Sequence, residues 1–125
     1  MMQGFVNQNC EAIINVAVGY NNFPKQMIAT VIDTGFTGYL SLPISAIDSL
    51  GLPWYFRDIG TLGDGSEAIF DMYKANVIWD GKPKIIDVAA SEAEPLIGMS
   101  LLHGFKVQIE AVSGGIVRIE DLNIN

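Results

Sequence analysis

Asp33 ends an apolar, β-rich run, Ile28-Ala29-Thr30-Val31-Ile32. Thr34 and Gly35 follow it, and Tyr39-Leu40-Ser41-Leu42 forms a second such run. A carboxylate at the mouth of a buried strand is costly unless hydrogen bonds support it. Thr34 offers a hydroxyl for that support, and Gly35 lets another backbone or a substrate come close. The chemistry open to such a group is general acid–base work on a water and a carbonyl. That work suits two carboxyls about 3 Å apart, which cannot both ionise easily and so share a proton. The sequence holds no second Asp-Thr-Gly or Asp-Ser-Gly.

A second segment strengthens the reading. Glu94-Pro95-Leu96-Ile97-Gly98-Met99-Ser100-Leu101-Leu102 places two apolar residues and a glycine before a short helical stretch. With Asp33-Thr34-Gly35, it resembles the paired hallmarks of the retropepsin-like aspartic peptidases, in the family's order and over most of the chain. The resemblance implies an all-β fold, a closed acid-protease barrel of short strands with one or two short helices. It implies an aspartic endopeptidase acting as a homodimer on a peptide or protein substrate, with no cofactor and no metal. Asp33, Thr34 and Gly35 would be the catalytic turn, with Thr34 bracing the paired loops. Leu96, Ile97 and Gly98 would support that loop from behind. Gly63-Asp64-Gly65-Ser66, between the hallmarks, would be the tip of a flap that closes over the peptide. Phe36 stands where viral members carry a small residue and would shape the substrate pocket. Thr37 and Met99 replace the acid and the arginine whose ion pair helps hold the viral dimer, so this dimer must be held otherwise. The pattern is closer to the small cellular and bacterial members. A catalytically silent module of the same fold, binding peptides or mediating assembly, is the alternative.

Other chemistry has less support. Asp33, Asp58, Asp64 and Asp71 lack tight metal-ligand spacing with Glu or His. There is no Gly-x-Ser-x-Gly, and His103 is the sole histidine. His103 is expected near a helix C-terminus, where its charge suits the dipole.

The elements that must position these residues are mainly strands. Residues 9–20 alternate at period two, with Cys10, Ala12, Ile14, Val16 and Val18 on one face, so Cys10 is expected to pack. A turn-rich stretch, 19–24, precedes the strand 26–32 that delivers Asp33. Residues 39–42 form a short strand. Pro43 opens a helix over 44–50, which Gly51 stops. Trp54-Tyr55-Phe56 is expected to pack in the core, as are Tyr39 and Tyr55. Asp64-Gly65 and Asp80-Gly81 mark hairpin turns between strand-like arms. Residues 84–90 return as a strand, and 91–95 form a loop. Ser100–His103 is helical, with Gly104 as its stop. Residues 105–110 alternate apolar with polar, Ser113-Gly114-Gly115 turns the chain, and 116–122 is a final strand. Short strands with Gly turns indicate a barrel or sandwich.

The 125-residue length suits one domain over 1–125, and a hydrophobic share of 50% is enough for a sizeable core. Seven basic against 14 acidic residues give a charge of −7. That balance disfavours nucleic acid, whose phosphates attract Lys and Arg. No run approaches the roughly 20 apolar residues a membrane helix needs. The N-terminal residues lack the pattern of a secretory signal. One cysteine allows no internal disulfide, and a reducing, cytoplasmic setting is the expectation.

Overall fold

The computed structural model describes residues 1–123. In chain order its elements are β1 (Met2–Val6), β2 (Ala12–Tyr20), β3 (Phe23–Ile32), β4 (Leu40–Leu42), α1 (Ile44–Leu50), β5 (Trp54–Thr61), β6 (Glu67–Trp79), β7 (Lys82–Ala90), β8 (Leu96–Ile97), α2 (Met99–Leu102), β9 (Phe105–Ile109) and β10 (Ile116–Asp121). One sheet carries all the strands in the order β5-β6-β7-β4-β8-β3-β2-β1-β10-β9. A further pairing, Val18 opposite Val77, joins β2 to β6. The strands β2, β3, β8, β4, β7 and β6 thus pair in a ring. Outside that ring, β5 and β9 each pair on one side only and are not enclosed. Nor are all the strands short, since β6 has 13 residues and serves both β5 and β7.

The core follows from alternation. Ile14, Val16 and Val18 of β2 are buried with Leu40 and Leu42 of β4, Val77 of β6, Val88 of β7 and Ile97 of β8. Each fully buried aliphatic chain of this size stabilises the fold by about 1.5–3 kcal/mol. Helix α1 adds Ile47 and Leu50 to this core. It begins after extended Pro43 and ends at Gly51, whose φ of 65° is left-handed. Thr30 is fully buried and satisfied, its hydroxyl donating to the Ile14 carbonyl at 2.7 Å.

Several expectations change. β1 was not anticipated: Met2–Val6 pairs with β2 on one side and β10 on the other. β2 starts at Ala12 rather than residue 9. Asn7 Oδ1 accepts the amides of Asn9 and Glu11 and turns the chain there. Cys10 falls in that turn with φ 62° and is exposed, so it does not pack. Trp54 and Tyr55 are also exposed, because they lie on an edge strand. Trp54 donates its indole N–H to Asp71, and Tyr55 lies 4.4 Å beneath the Lys74 ammonium. His103 caps the short helix α2 and is exposed. No helix among the described residues is long and apolar enough to cross a membrane.

Candidate active site

β3 runs parallel to β8, with Val31 opposite Leu96 and Ile32 opposite Ile97. The ladder carries on past the strand: the Asp33 amide donates to the Ile97 carbonyl at 2.9 Å. This bond fixes where the carboxylate leaves the sheet. Asp33 is half-buried, and its Oδ1 accepts the Gly35 amide at 2.9 Å. The expected support from Thr34 is absent. Thr34 is exposed, and its hydroxyl has no hydrogen-bond partner among the described residues. The turn closes through the Phe36 amide on the Asp33 carbonyl at 3.1 Å.

The second hallmark clasps this turn. Gly98 donates to the Tyr39 carbonyl, Met99 to that of Phe36 and Ser100 to that of Gly38, at 3.1, 2.8 and 3.1 Å. The Ser100 hydroxyl adds a bond to the Thr37 carbonyl. Gly98 is buried so tightly that a Cβ there would meet the Gly38 carbonyl oxygen at 2.3 Å and the Phe36 carbonyl oxygen at 2.6 Å. Backbone bonds therefore join the segments that carry Thr37 and Met99. Met99 itself is exposed. Leu96 faces a cavity, whereas Ile97 is fully buried behind the turn.

That cavity has a volume of about 550 Å³ and is lined by Asp33, Gly35 and Phe36 on the turn side. Opposite stands the β5–β6 hairpin, where Asp58 pairs with Phe70 and Phe56 with Met72. All four side chains line the cavity. The tip is a compact turn. Leu62 and Ser66 bond through their backbones at 2.7 Å, and Gly65 has φ 87°. Asp64 Oδ1 accepts the Ser66 hydroxyl at 2.6 Å and its amide at 2.9 Å, which together hold the carboxyl below the usual Asp range. Of the expected substrate-binding residues, Phe36 and Gly63 line the cavity. Asp64, Gly65 and Ser66 shape the tip without reaching the lining.

Sequence reading did not find the cavity floor. Leu96, Ser41, Ala89, Met72 and Phe56 form one row across β8, β4, β7, β6 and β5, each opposite the next in register. All five line the cavity. The available signal was alternation, since Leu40 and Leu42 point into the core and Ser41 must point the other way. The lining carries the acids Asp33, Asp58 and Asp87, with no Lys, Arg or His. Only Asp87 is ion-paired, to Lys74 Nζ at 2.6 Å, and that bond raises the Lys74 pKa. Among the described residues no His, Cys, Asp and Glu gather as a metal-binding cluster.

No protein-family model matches the chain, and no curated protein does. Among solved structures, it is similar to a retropepsin-like aspartic protease from Rickettsia conorii, with 24% identity and a TM-score of 0.60. The match covers 93% of this chain and 87% of that one. The likeness lies in the whole architecture, so the mostly β chain has a retropepsin-like fold.

Proposed function

We propose that this chain is an aspartic endopeptidase whose active form is a homodimer, with Asp33 from each copy facing across a two-fold axis. The observation that carries the reading is the position of Asp33. Within a retropepsin-like fold it ends β3, is braced by Gly35, and looks into a cavity roofed by the β5–β6 hairpin. One copy does not supply the second acid in that turn. Asp87 is engaged by Lys74, and Asp58 belongs to the hairpin arm. In the dimer, one Asp33 carboxylate takes a proton from a water. The other carboxyl hydrogen-bonds the scissile carbonyl and later supplies the proton the leaving amine needs. The exposed Thr34 hydroxyl is free to brace the partner's turn. Ile97 and Gly98 hold each turn from behind, and Leu96 beside them lines the cavity. The substrate lies extended between the turn and the hairpin, pairing with its backbone in β fashion. Gly63, at the cavity rim, leaves room for that backbone. Within the chain, β1 and β10 each pair on both sides, which supports an interface built elsewhere than on those strands.

Cleavage of a peptide library by the purified protein from about pH 3.5 to 7.5, beside Asp33→Asn, tests the reading; the range allows for the coupled titration of a carboxyl pair. Cleavage that vanishes in Asp33→Asn is the expected result. A folded, dimeric protein that cuts nothing would instead be a peptide-binding or assembly module, and full activity in a monomer would refute the shared site.

A further inference from the structure

Three buried side-chain polar groups among the described residues have no hydrogen-bond partner: the hydroxyl of Ser41, the amide oxygen of Asn76 and the indole N–H of Trp79. Only Ser41 lines the cavity. Asn76 and Trp79 lie in the far half of β6, beyond the part that forms the hairpin with β5. Ser41 is 4% exposed, and its side chain leaves β4 on the face opposite the core residues Leu40 and Leu42. Its neighbours in register on that face, Ala89 and Leu96, carry no polar side-chain atom. Burying a hydroxyl without a partner destabilises a protein, and the cost is recovered when a ligand group supplies the bond.

We infer that Ser41 is a specificity residue, selecting substrates with an uncharged hydrogen-bonding side chain, of Thr or Asn size, at the position seated on the Ala89–Leu96 floor. The inference rests on the peptide-binding part of the proposed function. A hydroxyl both donates and accepts, so it can serve Thr or Asn. Ala89 beside it lines the same cavity with only a methyl group. Met72, opposite Ala89 and unbranched, can yield as the side chain enters. An acidic side chain is excluded by the lining, where Asp33 and Asp58 stand without a compensating cation. The rejected competitors are the isosteres lacking the polar group. Val in place of Thr, or Leu in place of Asn, would leave the hydroxyl unpaired.

The test profiles one peptide library twice: by cleavage with wild type and Ser41→Ala, and by capture on Asp33→Asn with and without Ser41→Ala. Wild type is expected to favour Thr over Val and Asn over Leu at one position by about tenfold, the scale of one hydrogen bond. Ser41→Ala should reduce this to within about twofold. Because the substitution removes an unpartnered hydroxyl, its Tm should hold or rise, and Ser41→Cys should give an intermediate profile. A profile unmoved by Ser41→Ala, or an aliphatic preference in wild type, overturns the inference even when cleavage is Asp33-dependent. A capture profile that moves with Ser41 while nothing is cut upholds it and refutes the peptidase reading alone. Neither cleavage nor selective capture overturns both.

Discussion

The Gly35 amide donates to Asp33 Oδ1 at 2.9 Å, and a Cβ on Gly35 would sit 3.2 Å from that same oxygen. The residue that orients the carboxylate therefore also has to be small. Gly35→Ala should shift the carboxylate by a few tenths of an ångström while disturbing little else, because no other neighbour crowds that position. In the proposed dimer the shift would occur twice, on groups that share a proton. A fall of about tenfold or more in kcat/KM is expected, with Tm changed by only a few degrees. Steady-state kinetics beside a thermal melt check this, and unchanged kinetics would show that the carboxylate is held by something other than Gly35.

Gly98 differs from Gly35 in what surrounds it. The atoms its Cβ would strike include the carbonyl oxygens of Gly38 and Phe36, both fixed by hydrogen bonds from the α2 segment. Backbone cannot yield as a side-chain tip can. Gly98→Ala should cost about 3 kcal/mol or more of stability and detach the Asp33 turn from its support. Denaturant unfolding of Gly98→Ala beside Gly35→Ala separates the two roles: the first is expected to lose midpoint concentration sharply and the second hardly at all.

The helix Ile44–Leu50 was legible because Pro43 and Gly51 punctuate it, and the Asp33 turn because its motif is local. What escaped was non-local. Ser41, Ala89 and Met72 meet only because β4 pairs parallel to β7, and β7 in turn pairs with β6. No spacing in the chain encodes that adjacency. Cys10 was misplaced by extending a period-two pattern through a turn that the Asn7 side chain builds. β1 was missed because its residue types do not follow its alternating exposure: Phe5 is apolar yet exposed, and Gly4 brings no side chain to the inner face. That glycine is required, since a Cβ there would overlap the Ile13 carbonyl of the neighbouring strand.

Two carboxylates tie the hairpin to pH. Asp71, at its base, accepts the Trp54 indole N–H at 3.1 Å and Arg57 Nε at 2.9 Å, and both bonds lower its pKa. Asp64, at the tip, is lowered by Ser66. A carboxyl whose folded pKa is depressed contributes stability that is present above its unfolded value, about 3.9 for Asp. That contribution is lost as pH falls through the lower folded value. The hairpin should therefore loosen below about pH 4, before the core does. Amide exchange in β5 and in the β6 residues facing it, corrected for intrinsic rates, is expected to speed up there relative to β2. Asp71→Asn should show the faster exchange at neutral pH already. Equal protection of β5 and β2 across the acid range would rule the coupling out.

The last pH effect has the opposite sign. Glu94, just before the second hallmark, has the Glu11 carboxyl as its neighbour, and that neighbour raises the Glu94 pKa. Glu11 is lowered, first by Asn7, whose amide donates to Oε1 at 2.9 Å, and then by Glu94. Of the two carboxyls, Glu94 is thus the one that holds its proton to higher pH. A raised carboxyl contributes stability that is fully present below its unfolded value, about 4.3 for Glu, and lost as pH rises through the folded value. Once that proton is lost, two carboxylates face each other. Gln at position 94 carries a permanent donor in place of that proton. Glu94→Gln is therefore expected to raise Tm at pH 7 and leave it nearly unchanged near pH 4. Glu11→Gln, which removes the acceptor charge instead, should not give the same pH pattern. Melting curves of the two variants and wild type at both pH values decide it, and a Glu94→Gln gain equal at pH 4 and 7 would mean that the two carboxyls do not share a proton.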